Sequence, residues 1–207
     1  MQHKSIIDFI GNTPLVKVQN LLKNKDISLY IKLEGNNPGG SVKDRAAYNM
    51  ISAALERNDI KKGDYLIEAT SGNTGIALAM IAQLFNLNIE LVMPENSTKE
   101  RVQTMRAYGA KVTLTSSKEG IEGSRSYAEK KAKEKNYFIL NQFSNNDNWK
   151  AHYKTTGPEI WKDTNGEITH FVSAMGTTGT IMGTSTYLKE KNKNISIIGA
   201  QPTDNSK

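Results

Sequence analysis

Lys43 closes a glycine-rich segment, residues 34–43 (EGNNPGGSVK). Gly35 and Gly40 bracket a loop with the outline of the phosphate-binding pattern G-x-x-x-x-G-K-[ST]. Ser41 stands where that pattern needs its lysine, so nucleotide binding fails at the essential residue. Ser41 with Asp44 three residues on reads instead as a capping box, with Ser41 as the N-cap of a helix. Lys43 then falls in the first helical turn, where the positive end of the helix dipole disfavours a charged ammonium. A lysine with a lowered pKa can condense with an aldehyde cofactor and afterwards serve as a base. An isolated first-turn lysine is ordinarily just solvated, and this segment alone leaves both readings open.

Two further loops have a similar character. Residues 68–75 (EATSGNTG) place Thr70, Ser71, Asn73 and Thr74 between a β-like run and a very apolar helical one. Free N–H groups at a helix start attract anions, and a carboxylate is a natural guest. The same residue types also cap helices, which is the competing account. Gly176, Thr177, Thr178, Gly179 and Thr180 (GTTGT) form the third loop. Its glycines permit close backbone approach, and its hydroxyls and helix N–H groups suit a phosphate. It lacks the G-x-G-x-x-G spacing of a dinucleotide site. Each loop could be a turn and a cap; three of them at strand-to-helix handovers are harder to explain by capping alone.

Short β-like runs alternate with helical ones around these loops. Strands are expected over residues 27–33, 65–69, 89–93, 111–115, 137–140, 169–173 and 195–200. Helices are expected over 41–56, 75–85, 97–108, 121–134, 149–162 and 179–191. The βαβα rhythm predicts an α/β fold with a mostly parallel sheet, whose ligands gather beyond the C-terminal strand ends. The unbroken runs FVSAM and ISIIGA suit strands buried on both faces. Residues 203–207 follow the last strand with no covering element, so the chain is expected to be C-terminally truncated.

The 207 residues suffice for one large domain or two small ones, and 23% charged with 37% apolar residues fits a folded globular protein. The net charge of +6 is spread among acids, without the clustered basic face and interleaved aromatics that nucleic acid requires. With no cysteine, disulfides, thiolate catalysis and cysteine metal sites are excluded. His3, His152 and His170 lack ligand-like spacing, so no metal is expected. Residues 1–8 hold no apolar signal core, and no run approaches the roughly 18 apolar residues of a membrane span, so no membrane partner and a cytoplasmic location are expected.

The segments KLEGNNPGGSVKDRAA, EATSGNTGIALAMIA, MRAYGA, AHYKTTGPEIW and HFVSAMGTTGTIMG, spread between IGNTPL and GAQPTD, together resemble the cysteine synthase (O-acetylserine sulfhydrylase) family of fold-type II pyridoxal-phosphate enzymes. GTTGT, EGNNP and AHYKTTGPEIW look closest to its B branch; the A branch usually reads GTGGT in the phosphate loop. The resemblance implies two domains, each with a mostly parallel twisted sheet flanked by helices: residues 1–46 and 153–207 in the large one, 47–152 in a small mobile one. It implies pyridoxal 5'-phosphate carried by Lys43, which is also the general base. Asn73 would bond the cofactor's ring oxygen, Thr70, Ser71, Thr74 and Gln142 the substrate carboxylate, and Gly176, Thr177, Thr178, Gly179 and Thr180 the phosphate. The implied reaction makes L-cysteine from O-acetyl-L-serine and sulfide, or S-sulfocysteine from thiosulfate, in a homodimer. Family members continue past QPTD into a part that holds the serine facing the pyridine nitrogen. Alternatives are a pyridoxal-phosphate serine/threonine dehydratase, which commonly reads S-F-K-x-R around the lysine, and a non-catalytic docking partner of serine acetyltransferase.

Overall fold

The computed structural model describes residues 4–203; His3 and residues 204–207, including the aspartate that closes GAQPTD, lie outside the described residues. In chain order its elements are β1 (Leu15–Lys17), β2 (Tyr30–Lys32), α1 (Lys43–Glu56), β3 (Tyr65–Ala69), α2 (Asn73–Leu84), β4 (Asn88–Pro94), α3 (Lys99–Ala107), β5 (Lys111–Thr115), α4 (Gly120–Lys135), α5 (Asn146–Lys154), α6 (Thr156–Asp163), β6 (His170–Ala174), α7 (Gly179–Lys191) and β7 (Ser196–Ala200). The chain divides into two compact units, residues 1–45 with 148–207, and residues 46–147.

The inserted unit carries a parallel sheet in the order β3-β4-β5. Ile89, Leu91, Val92 and Met93 of β4 are all buried, as expected of a parallel strand covered on both faces. Ile67 and Val92 pack on Ala128 of α4, with Ala132, Tyr137 and Ile139 around them. Helix α2 is apolar nearly all round, and Ala77 to Ala82 are buried, which marks a core helix rather than a surface one.

The other unit pairs β1 with β2 antiparallel and β6 with β7 parallel. Ile160, Leu188 and Ile195 form its packed centre, flanked by Trp161, Ile168, Phe171, Tyr187 and Ile197. Within the described residues these two strands are not buried on both faces. Phe171 and Ile197 face the packed centre, while Val172 is 60% and Ile198 45% exposed. In β6 Phe171 and Ser173 are half-buried between exposed neighbours, as the pleat alternates, whereas in β7 only Ile197 is half-buried.

Other expectations shift for local reasons. Of residues 27–33 only Tyr30–Lys32 pair, with a short β1 that the sequence did not mark. Residues 137–140 supply a single bridge, Phe138 to Leu66, rather than a strand. The helix expected over 149–162 is two helices broken at Thr155 (φ −126°, ψ −67°). Pro158 explains the break: its ring would clash with the carbonyl four residues back, at Lys154, where α5 ends.

Candidate active site

Lys43 is the first residue of α1 and is half-buried. Ser41 Oγ accepts from the Lys43 N–H at 3.2 Å. The Asp44 carboxylate, expected to reach back to Ser41, accepts instead from the Gly39 N–H at 2.5 Å. The cause is the turn at Gly40 (φ +83°), which brings Gly39 over the carboxylate so closely that a Cβ at residue 39 would sit 2.6 Å from Asp44 Oδ1. Burial lowers the Lys43 ammonium below the ordinary lysine range; desolvation rather than the helix dipole is the cause. Burial also pushes Asp44 up to about 6, against the Gly39 N–H bond and with help from Glu34.

Two residues on, the side chain of Arg45 is 1% exposed and wholly engaged. It donates from Nε and Nη2 to Glu34 (2.7 and 2.8 Å), from Nη1 and Nη2 to Glu159 (2.6 and 2.8 Å), and to Thr13 and Thr155. Against burial, the bonds from Arg45 and Lys32 hold the Glu159 carboxyl down at about 2. This network ties the start of α1, the 34–37 turn and α6 within one unit, so the backbone that carries Lys43 is anchored two residues away.

In the same unit the loop 176–180 enters α7. Thr178 is the N-cap and has φ 63°. A β-branched residue in the left-handed region is uncommon, and alternation of right- and left-handed residues turns successive N–H groups inward as an anion nest. A Cβ at Gly176 would meet only open space. His152 is buried, with Nδ1 2.9 Å from Thr156 Oγ1 and Nε2 3.3 Å from Thr180 Oγ1. Burial first, then the charges of Arg45 and Lys43, hold His152 down to about 3, so it is neutral. Lys43 is thus within electrostatic reach of a histidine that touches the loop. An amine with a depressed pKa together with an N–H and hydroxyl cradle suits an aldehyde cofactor that bears a phosphate.

The inserted unit holds the other expected residues. Helix α2 starts at Asn73, with Gly72 as its N-cap and no side-chain cap bond. The N-cap position itself is thus held by a glycine, and Thr70 and Ser71 stand ahead of it. Thr74 Oγ1 donates to Gln142 Oε1 at 2.8 Å, joining two expected carboxylate-binding residues. Behind them the buried Glu68 accepts from the N–H groups of Asn141 (3.0 Å) and Gln142 (3.3 Å), and burial raises its pKa. Asn73 is exposed and Ser71 half-buried.

Asn148, His152, Glu68 and the Arg45 partners were not foreseen. Glu68, Glu34 and Thr13 stand in the segments EATSGNTG, EGNNPGGSVK and IGNTPL, and His152, Thr155 and Glu159 in AHYKTTGPEIW, but nothing in those segments marks these particular side chains; Asn148 lies outside all of them. A cavity of about 260 Å³ bordered by Asp59, Tyr65, Lys135 and Tyr137 includes none of the expected site residues. No group of three or more His, Asp or Glu suited to a metal ion occurs among the described residues, and no helix there is long and apolar enough to cross a membrane.

A family model described as "Pyridoxal-phosphate dependent enzyme" matches residues 6–207. The chain is 56% identical over 206 residues to a protein of Pseudomonas aeruginosa named cysteine synthase B, covering 100% of this chain and 69% of that one. It is 55% identical to the Escherichia coli cysteine synthase B, covering 95% of this chain and 65% of that one. The crystal structure of a cysteine synthase from Entamoeba histolytica superposes with a TM-score of 0.93 at 41% identity, over 98% of this chain and 61% of that one. The chain thus spans about two thirds of the length of the relatives it matches.

Proposed function

Because the chain belongs to the pyridoxal-phosphate dependent enzyme family, we propose that it takes part in the synthesis of L-cysteine by replacement at the β-carbon of O-acetyl-L-serine. Acetate leaves, a carbon–sulfur bond forms with sulfide, and the proton taken from the α-carbon is returned to it. Thiosulfate, giving S-sulfocysteine, is the second sulfur donor within this reading. The likeness to relatives named cysteine synthase B supports the formation of cysteine and does not reach the choice of sulfur donor. A homodimer and a cytoplasmic location belong to the same proposal.

The observation that carries it is the half-buried Lys43 with its lowered pKa, in one unit with a phosphate-type loop. Bound pyridoxal phosphate supplies the sink for the electron pair left by the α-proton. Lys43 holds the cofactor and moves that proton, because a depressed pKa keeps a usable fraction of its amine uncharged. Residues 176–180 hold the phosphate through N–H groups and hydroxyls. Asn73 orients the cofactor ring, and Thr70, Ser71, Thr74 and Gln142 hold the amino-acid carboxylate.

The purified protein should be yellow and form cysteine from O-acetylserine and sulfide. Lys43→Ala should lose the near-visible absorbance of the lysine-bound cofactor and all turnover. A variant that keeps both would sink the assignment, and pyruvate in place of cysteine would make the protein a dehydratase.

A further inference from the structure

Helices α5 and α7 approach closely because α7 presents Gly179 and Gly183, one turn apart, to α5. A Cβ at Gly179 would fall on the side-chain amide of Asn148, and one at Gly183 on the Trp149 carbonyl. That contact places two buried polar side chains of α5, Asn148 and His152, beside the loop that starts α7. They lie four residues apart and so share a helix face. Asn148 Nδ2 donates to Thr177 Oγ1 at 3.1 Å, and the Gly179 N–H also points to that oxygen at 3.4 Å. His152 Nε2 lies beside Thr180 Oγ1 one turn further on.

A hydroxyl has one proton and two acceptor lone pairs. With both lone pairs of Thr177 Oγ1 turned to N–H donors, its proton must point away from α5 and Gly179. We propose that Asn148 is a positioning residue for phosphate recognition: its amide turns the Thr177 hydroxyl into a donor aimed at the bound anion. Left alone, that hydroxyl could equally spend its proton on a neighbouring acceptor and present a lone pair to the phosphate, which repels it. The inference rests on the reading of residues 176–180 as the phosphate cradle and names the side chain that sets the polarity of that cradle.

The test titrates cofactor-free protein with pyridoxal 5'-phosphate and with pyridoxal, which lacks the phosphate, following absorbance. Wild type should prefer the phosphorylated form. Asn148→Leu should reduce that preference about tenfold or more, the scale of one hydrogen bond to a charged group, while pyridoxal affinity stays unchanged. Asn148→Asp keeps the shape against Gly179 but accepts the Thr177 proton, so it should reduce the preference further. In a Thr177→Val background, Asn148→Leu should add nothing, because its effect runs through that hydroxyl. Wild-type preference in Asn148→Asp, or losses that simply add in the double variant, would overturn the proposal and leave the cradle standing. A wild type without any preference would overturn the cradle itself.

Discussion

Thr74 Oγ1 donates to Gln142 Oε1 at 2.8 Å across 68 residues of sequence, and both side chains are buried. The bond turns the Gln142 amide oxygen toward α2 and its –NH2 away from that hydroxyl. Glu68 fixes the Gln142 backbone from behind, so this part of the inserted unit is set before any ligand arrives.

Thr74→Val tests that relationship. It keeps the shape and removes the donor, leaving a buried acceptor under-bonded at a cost of roughly 1–3 kcal/mol. The melting temperature should fall, and a higher O-acetylserine concentration should be needed for half-maximal rate. Thr74→Ser should restore both. Melting that falls in the valine variant without any change in substrate dependence would reduce the pair to a structural contact.

Asp44 gives a pH prediction. Its folded pKa of about 6 lies above the unfolded value of 3.8. Between those values the folded state keeps a proton that the unfolded state gives up, so this group's contribution to stability is lost as pH rises from about 4 through 6. The full effect is on the order of 3 kcal/mol at most. Asp44→Asn keeps an acceptor for the Gly39 N–H and removes the titration. The variant should therefore melt above wild type at pH 7.5, with the gap closing near pH 4. Parallel melting curves across that range would count against it.

Arg45→Met removes the cation between Glu34 and Glu159. Breaking a buried pair from one side leaves uncompensated charge and costs about 3–5 kcal/mol, here tempered by Lys32, which also pairs with Glu159 at 2.8 Å. The urea midpoint should drop sharply, and Arg45→Lys should recover only part of it because an ammonium cannot serve two carboxylates as a planar fork does. An unchanged midpoint in Arg45→Met would show that the network contributes nothing.

Much of this arrangement follows from local chemistry that the residues themselves declare. The three glycine- and hydroxyl-rich loops stand at helix starts, and β3, β5 and α7 fall where alternation and periodicity put them. What escaped depends on distance or on a single residue. Pro158 divides a periodic stretch into α5 and α6 although its apolar spacing runs straight through. Val172 and Ile198 are apolar enough for a doubly covered sheet, yet both are exposed within the described residues. Asn148 carries no motif and His152 is marked only by its place in AHYKTTGPEIW, since their importance arises only when Gly179 and Gly183 let α5 approach. The Thr74–Gln142 bond cannot be read from either residue alone.

Ser71 offers the most direct test of the carboxylate reading. It stands just ahead of Gly72, the N-cap of α2. If the hydroxyl of Ser71 served the helix, removing it should lower stability by about 1 kcal/mol, as loss of a cap does. If it serves an anion, stability should hold while ligand binding weakens, because the N–H groups of the first turn and the helix dipole gather negative charge at this end. Ser71→Ala should therefore melt with wild type and keep the cofactor's colour, since Ser71 lies outside the phosphate loop. It should need about tenfold more O-acetylserine to produce the same change in cofactor absorbance, the scale of one lost hydrogen bond to a carboxylate. Melting and titration on one sample separate the two accounts: a lower melting temperature with an unchanged titration would make Ser71 part of the helix start and remove it from the site.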